Sequence, residues 1–279
     1  MARLIPDSAV EKLKSDGFLR LELGDTAREA VMATFNAACP FFREPLERKI
    51  LNRLPPEFGY RPVGVEYSQS PERPDPIEAF MVSARTRAEI AELRSERART
   101  LYEEMLVAIN VLEPIAEDLT IQAANMLGGS PLGEKLRGAF HRWSCLQVNY
   151  SRPSEVSADF IHETHEDGHL LTIACATGPG LEVQTQEGSF VPVTTAIGEA
   201  IIMPGDIAWL LSGGHVRPLY HRVRPAPNYH ERMALLFFGD ISPEYCEPWV
   251  RNEINRDVNI SERVLTNATR FGLNGFALE

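Results

Sequence analysis

Between residues 141 and 240 the chain alternates short apolar runs with turn-forming residues. The runs are rich in Val, Ile, Leu and Phe, and Gly, Pro, Asn or Asp stand between them. Many short strands separated by turns indicate an antiparallel sandwich or barrel. We therefore predict a fold that is mainly β with α, built on a double-stranded β-helix (jelly-roll) core. The predicted strands are CLQVNY, LLTIACA, LEVQT, FVPVTT, EAIIM, WLLS and ALLFFGD.

The first 140 residues differ, because their apolar residues recur mostly at helical spacing. We predict a mainly helical region here, with one strand in FLRLEL (18–23). Residues 51–76 are rich in proline and should be largely irregular. The predicted helices run from Asp7 or Ser8 to Gly17, from near Thr26 to the residue before Pro40, and from Arg85 to about Leu127, where Pro114 kinks or divides the last one.

These patterns divide the chain into three segments that should form one integrated domain. Residues 1–140 are the helical region, packed on the core, and residues 141–250 are the jelly roll. Residues 251–279 are a C-terminal extension with one helix near 261–270. No flexible linker separates the segments, and 279 residues suffice for a sizeable shared core.

Charge and cysteine usage limit the classes of partner. The formal net charge is −11, and no block of consecutive basic residues is present, so nucleic-acid binding is disfavoured. No uncharged apolar stretch is long enough to span a bilayer, and we expect no membrane association. The four cysteines lie far apart, which predicts a reduced, cytoplasmic protein. The oligomeric state stays open.

The segment HETHEDGH contains His165 and Asp167 in an H-x-D arrangement, and His221 follows much later in YHRV. Residues two apart on a strand project to the same side, so His165 and Asp167 can face one metal ion. A later strand of a jelly roll can bring His221 beside them. Two imidazoles and one carboxylate form the facial triad of non-haem iron oxygenases. H-x-D alone is a weak signal, and HETHE does not match the H-E-x-x-H motif of zinc hydrolases.

Longer motifs around these residues resemble one known family. They are LQVNYSRP (146–153), HEDGHLLTIACATGPGLEV (165–183), IGEAIIMPGDIAWLLSGGHVRPLYHRV (197–223) and ERMALLFF (231–238). In this combination they resemble the isopenicillin N synthase-like family of 2-oxoglutarate/Fe(II)-dependent dioxygenases. The resemblance is strongest over the central third of the chain. It implies the jelly-roll fold and the cofactors Fe(II), 2-oxoglutarate and O₂.

The resemblance also implies roles for individual residues. His165, Asp167 and His221 take the positions of the iron ligands. Arg232 takes the position of the arginine that binds the distal carboxylate of 2-oxoglutarate, and a bidentate guanidinium suits that group. Asn149 and Tyr150 occupy a strand that contacts the cosubstrate, although strand alternation also allows Tyr150 to be a core residue.

Two departures from the family pattern concern the cosubstrate. Ala234 replaces a serine that follows the family's arginine, and Ser151 replaces a tyrosine. These changes mildly favour an alternative, an iron oxidase of the isopenicillin N synthase type that uses no 2-oxoglutarate, whereas Arg232 opposes it. An alternative of another class is a non-catalytic metal- or sugar-binding jelly roll, which an intact triad disfavours.

The expected reaction is oxidation of an unactivated C–H of a small molecule, by hydroxylation, desaturation or oxidative ring closure. We expect a role in specialised or antibiotic metabolism. The substrate should enter between the Pro-rich segment 61–76 and the loop 152–164. Acidic residues along this approach predict a cationic, aminoglycoside-like substrate, although solvated loop carboxylates are the simpler interpretation. They are Glu155, Asp159, Glu163 and Glu166.

Overall fold

The computed structural model describes residues 4–54, 58–129, 132–140 and 143–270. The helices are α1 (Ala9–Asp16), α2 (Asp25–Phe42), α3 (Leu46–Lys49), α4 (Glu96–Gly128), α5 (Asp206–Leu211) and α6 (Ile260–Arg270). The strands are β1 (Leu19–Glu22), β2 (Arg53–Leu54), β3 (Phe58–Arg61), β4 (Glu78–Ser83), β5 (Cys145–Ser151), β6 (His162–His165), β7 (Leu171–Ala176), β8 (Leu181–Gln184), β9 (Phe190–Pro192), β10 (Glu199–Pro204), β11 (His221–Val223) and β12 (Arg232–Gly239).

These strands form two antiparallel sheets, which confirms the predicted β core. The larger sheet has eight strands in the order β1-β10-β7-β12-β5-β4-β3-β2, and the smaller has four in the order β6-β11-β8-β9. A long-range order such as β10-β7-β12-β5 means that strands distant in sequence are hydrogen-bonded neighbours. One cavity is lined by side chains of both sheets, so it lies between them.

The N-terminal region contributes strands as well as helices. β1 extends one edge of the larger sheet beside β10, as predicted for FLRLEL. On the other edge, β2 and β3 lie within the segment predicted to be irregular, and they continue the sheet beyond β4. All four residues of β3 are buried. Gly59 within β3 lies very close to the chain before β2, because its φ is +73° and a Cβ would lie 2.3 Å from the Asn52 carbonyl oxygen.

Two helices continue through prolines, past the end predicted before Pro40 and without the division that was one of the two alternatives at Pro114. α2 extends past Pro40 to Phe42, and α4 passes Pro114 as one helix of 33 residues. Both helices bury an apolar face, and they pack against each other, with the Thr34 hydroxyl 3.3 Å from the Glu104 carbonyl oxygen. Tertiary packing of this kind supplies most helical stability in proteins, so it outweighs the hydrogen bond that each proline removes.

The run WLLS was predicted to be a strand but lies mostly in helix α5. Gly205 precedes the helix at a point where the chain passes very close to the metal-binding segment. A Cβ at Gly205 would lie 2.2 Å from the His169 carbonyl oxygen and 2.4 Å from that of Asp167. A short apolar run suits a buried helix as well as a strand, and its periodicity does not distinguish them.

One cluster of buried apolar side chains includes residues from all three predicted segments. Phe41 and Leu101 come from the helical region, Phe237 from the jelly roll and Val264 from α6. The exact boundaries near residues 140 and 250 stay predictions. Among the described helices, none has the length and apolar character needed to cross a bilayer.

Candidate metal centre and cavity

The two histidines of the predicted triad are cross-strand neighbours. His165 ends β6, His221 begins β11, and the antiparallel register places them directly opposite each other. Their ring centroids are 4.4 Å apart. The H-x-D spacing predicted that Asp167 would share a strand with His165, but Asp167 lies outside β6. It lies two residues beyond β6, where the chain turns back toward both rings, and the ligand atoms of the three residues lie within 4.8 Å of one another.

Hydrogen bonds fix the direction in which each of these side chains points. Nδ1 of His165 donates to the Glu163 carbonyl oxygen at 2.6 Å, and Nδ1 of His221 donates to the Leu219 carbonyl oxygen at 3.1 Å. The Nε2 atoms therefore carry the free lone pairs, and they lie 3.8 and 3.9 Å from Oδ1 of Asp167. Thr172 donates its hydroxyl to the other oxygen, Oδ2.

The protonation states of this group also suit a metal ion. Burial, together with the neighbouring His221 ring, lowers the pKa of His165 to about 4 against the opposing effect of Asp167. For Asp167, burial raises the pKa, but the two imidazoles and the Thr172 hydroxyl bring it below its ordinary value. At neutral pH a neutral imidazole and an ionised carboxylate are the forms that metal ions require.

A second layer of contacts holds the segment that carries Asp167. His169 donates from Nδ1 to Asp240 at 2.6 Å, and the other oxygen of Asp240 accepts the Leu170 backbone N–H. Asn267 of α6 donates to the Gly168 carbonyl oxygen at 2.9 Å. Sequence reasoning missed all of these residues. No sequence signal connects Asn267 to a segment 99 residues away.

Arg232 begins β12, and its side chain points into the cavity that the triad also lines. The residue is 5% exposed, and Nε donates to the Pro179 carbonyl oxygen at 2.9 Å. Burial alone lowers the pKa of this guanidinium to about 10. Among the described residues, no carboxylate lies within ion-pair distance of it. A buried charge without a counter-charge is costly, so this arginine suits an anionic ligand.

Strand alternation separates the other two predicted cosubstrate residues. Asn149 lines the cavity, whereas Tyr150 faces the opposite side of β5. The Tyr150 ring stacks on Phe42 with centroids 5.0 Å apart, and its hydroxyl donates to Glu231 at 2.7 Å. The structure therefore does not bring Tyr150 to the site, and we remove it from the candidate ligands. Tyr150 is a core residue, which is the alternative that strand alternation allowed.

Further polar residues that the sequence did not single out line the cavity beyond the triad. Arg61 forms a buried ion pair with Glu66, at 2.8 Å. His162 donates from Nδ1 to Asp75 at 2.8 Å, and its ring centroid is 6.1 Å from that of His165. Burial raises the pKa of Asp75, but the hydrogen bond and charge of His162, with a bond from Ser68, lower it below the ordinary value.

The residues present fit the groups that a facial triad implies. Two imidazole nitrogens and one carboxylate oxygen around a single point are the donors that Fe(II) takes in non-haem oxygenases. The cavity has a volume of about 310 Å³, enough for a small organic ligand. Arg232 lines the same cavity as the triad.

Comparisons with known proteins place this site in a family. Residues 142–240 match the model of the 2OG-Fe(II) oxygenase superfamily. Its members use Fe(II), 2-oxoglutarate and O₂. Gibberellin 2-beta-dioxygenase 2 of Arabidopsis thaliana is 26% identical over 138 residues, and the 2-oxoglutarate-dependent dioxygenase ecdG of Aspergillus rugulosus is 36% identical over 88 residues. These matches cover 48% and 30% of the chain, and 38% and 26% of the relatives.

Solved structures confirm the fold over almost the whole chain. A 2OG-Fe(II) oxygenase family protein from Caulobacter crescentus has a TM-score of 0.75 at 20% identity, covering 95% of this chain and 93% of that one. A full-length Neurospora crassa protein, in complex with alpha-KG and thymine, has a TM-score of 0.74 at 15% identity, covering 95% and 91%. These structures confirm the fold alone, and the isopenicillin N synthase-like subfamily stays a prediction.

Proposed function

We propose that the protein is an Fe(II)- and 2-oxoglutarate-dependent dioxygenase that oxidises a C–H bond of a small molecule. The observation that carries this proposal is the meeting of two features in one cavity. One is the cluster of His165, Asp167 and His221, and the other is the buried guanidinium of Arg232, which has no carboxylate partner within the described residues. The match to the superfamily model supports the same conclusion.

His165, Asp167 and His221 would hold Fe(II) through the two Nε2 atoms and Oδ1. A bound Fe(II) supplies the redox chemistry that couples decarboxylation of 2-oxoglutarate by O₂ to oxidation of the substrate. The backbone carbonyl groups that accept from Nδ1 keep both imidazoles in one tautomer and orientation. Thr172 fixes the carboxylate of Asp167, so that Oδ1 stays directed at the histidines.

Arg232 would bind the distal carboxylate of 2-oxoglutarate. In the buried environment of this arginine, a charge-assisted pair with a carboxylate is shielded from water, which strengthens it. Asn149 lines the same cavity and has donor capacity beyond its bond to His162. Neither Ala234 nor Ser151 adds a donor there, since the Ser151 hydroxyl lies 3.4 Å from the Arg232 carbonyl oxygen.

Arg232 also weighs against the two alternatives. An iron oxidase that uses no 2-oxoglutarate has no evident need for a buried arginine whose charge is unpaired. A non-catalytic sugar-binding jelly roll has no need for a three-ligand cluster that leaves one face of an ion open. We therefore retain the dioxygenase as the single proposed function.

The finer expectations about the substrate stay proposals. The cavity is lined by Val65, Glu66, Tyr67 and Ser68, which supports entry beside the Pro-rich segment. The acidic approach is partly neutralised, because Glu163 pairs with Arg73 at 2.8 Å. A cationic substrate, a role in specialised or antibiotic metabolism and a cytoplasmic location thus stay predictions from the sequence.

Formation of succinate tests the proposed function directly. Purified protein with Fe(II), 2-oxoglutarate and O₂ should convert 2-oxoglutarate to succinate, slowly without substrate and faster with one. His221→Ala should abolish this conversion, whereas His215→Ala, which changes an exposed histidine, should retain it. A wild-type protein that binds Fe(II) but neither binds nor consumes 2-oxoglutarate would contradict the proposal.

A further inference from the structure

Beyond the triad, the cavity carries a group of polar residues that do not hold the metal, and of these Asn149 alone is also a candidate donor to 2-oxoglutarate. We call it the polar wall, and it consists of Arg61, Glu66, Ser68, Asp75, Gln147, Asn149 and His162. Arg61 lies on β3 and Arg232 on β12, with β4 and β5 between them. Three strand spacings amount to roughly 14 Å.

The part of the larger sheet that faces the cavity between Arg61 and β7 carries mostly small side chains. The strand registers place Arg61, Ala79, Asn149, Ala234 and Ala176 in one row across five neighbouring strands. Residues directly opposite each other in a sheet point to the same face. Three of the five are alanines, so the row leaves space above the sheet between Arg61 and β7.

The hydrogen bonds of the polar wall form a chain in which each residue donates to the next and the last acceptor is Asp75. Gln147 donates to the side-chain oxygen of Asn149 at 2.7 Å, and Asn149 donates to Nε2 of His162 at 3.3 Å. His162 then donates from Nδ1 to Asp75, which also accepts from the Ser68 hydroxyl at 2.7 Å. An ionised carboxylate only accepts, so Asp75 sets the direction of the whole chain. The result is a preorganised surface of amides, an imidazole and a hydroxyl.

Each charged group of the polar wall already has a partner within it, although Asp75 is held by hydrogen bonds and not by a cation. The Arg61 guanidinium lies 2.8 Å from Glu66, and the Asp75 carboxylate is bonded by His162 and Ser68. This differs from the other side, where the charge of Arg232 has no carboxylate partner among the described residues. An anionic group placed against the polar wall would find the Arg61 charge already engaged by Glu66, and a cationic group would have to displace the His162 or Ser68 donor from Asp75, which is costly in both cases. An uncharged polar group meets donors and acceptors without that cost.

We propose that the polar wall binds the organic substrate through an uncharged group that both donates and accepts hydrogen bonds, such as a carboxamide or a lactam. This inference rests on the proposed function, because it assigns the remaining part of the same cavity. His162 lies 6.1 Å from His165 between ring centroids, so a group held at the polar wall places the adjoining carbon skeleton beside the triad. The acidic loop residues outside the cavity do not enter this recognition.

Matched compounds test the class of substrate. Each set shares one ring skeleton and carries a carboxamide, an aminomethyl group or a carboxylate at the same position. Binding is measured by calorimetry without O₂, on wild-type protein loaded with Fe(II) and 2-oxoglutarate. We expect the carboxamide to bind at least about tenfold more tightly than both charged members, since one charge-assisted hydrogen bond left unmade is worth that much.

Two variants of one ion pair then shift the preference in opposite directions. Glu66→Gln leaves the Arg61 charge uncompensated, so the carboxylate compound should gain about tenfold relative to the carboxamide. Arg61→Gln removes the positive charge that compensates Glu66, so the aminomethyl compound should gain by a similar factor. Arg73→Gln is the control, because it removes an exposed arginine from the ion pair with Glu163 and should leave the preference unchanged. A purely structural role of the pair would not produce opposite shifts.

Three results would overturn the inference: a charged compound that binds wild type best, a panel in which no carboxamide binds, or equal shifts in the two variants. Binding of 2-oxoglutarate is measured on the same samples before any compound is added. Absence of 2-oxoglutarate binding in wild type would contradict the proposed function itself. Intact 2-oxoglutarate binding together with any of the three results would contradict the polar-wall inference alone.

Discussion

Two buried arginines line the same cavity, and they differ in what surrounds them. Arg61 is paired with Glu66 at 2.8 Å, whereas Arg232 donates to the Pro179 carbonyl oxygen, with no carboxylate nearby among the described residues. Both are 5% exposed, so burial does not distinguish them. The two arginines are distinguished by whether a carboxylate balances the charge of the guanidinium. This difference indicates that Arg232 can bind an anion, whereas the charge of Arg61 is already balanced by Glu66.

The largest effect should come from removing a candidate metal ligand in the cavity that Arg232 also lines. In His221→Ala one of the three donors is lost, and we expect Fe(II) affinity to fall by more than about a hundredfold, beyond the loss typical of outer-shell changes. Metal titration followed by calorimetry measures it. His215→Ala is the matched control. Undiminished iron binding in the His221 variant would show that the ion uses other ligands.

The next largest effect distinguishes the two arginines directly. Arg232→Gln should weaken 2-oxoglutarate on the order of a hundredfold, because the distal carboxylate loses a buried charged partner. Arg61→Gln should leave 2-oxoglutarate affinity within about twofold, since its charge is engaged by Glu66. Both affinities are measured in the presence of Fe(II), whose own binding should persist. Equal losses in the two variants would remove the distinction between the arginines.

A smaller effect concerns the support of Asp167. Asn267→Ala removes the donor to the Gly168 carbonyl oxygen and to Asp206, so the segment carrying Asp167 should be held less firmly. We expect Fe(II) affinity to fall by about tenfold, as for other outer-shell residues. Asn228→Ala, at an exposed position, is the control. An unchanged metal affinity in the Asn267 variant would show that α6 packs on the core but does not support the metal site.

The smallest effect is a pH-dependent contribution of the polar wall to stability. The folded-state pKa of Asp75 lies below its unfolded value, so ionised Asp75 stabilises the fold above pH about 4, and this contribution is lost as the pH falls through the folded-state pKa. Asp75→Asn should therefore cost about 1 kcal/mol at pH 7, where charge assistance is lost. Urea unfolding of both proteins at several pH values measures the difference. It should shrink below pH 4, and a constant difference would contradict the assigned cause.

The sequence allowed the jelly roll and the triad to be predicted for different reasons. Short apolar runs between turn residues are a local signal, so the core strands were identified without knowledge of their partners. His165, Asp167, His221 and Arg232 were identified because the surrounding motifs resemble a family. The structure brings all four to one cavity, whereas Tyr150 lies on the other face of β5.

The rest depended on tertiary contacts that no local pattern carries. Pro40 and Pro114 lie inside helices because α2 and α4 pack against each other. WLLS lies mostly in α5, which begins just after the close approach of Gly205 to the segment of Asp167. The polar wall unites residues from a segment predicted to be irregular with β5 and β6. Their pairing is visible only once the fold is known.

The most direct test of the central claim is a crystal structure of the protein grown without O₂ in the presence of Fe(II) and 2-oxoglutarate, with anomalous data at the iron edge. We predict one iron peak bounded by Nε2 of His165, Nε2 of His221 and Oδ1 of Asp167, with the distal carboxylate of 2-oxoglutarate on Arg232. An iron peak elsewhere in the chain, or a 2-oxoglutarate carboxylate bound to Arg61 instead, would contradict it.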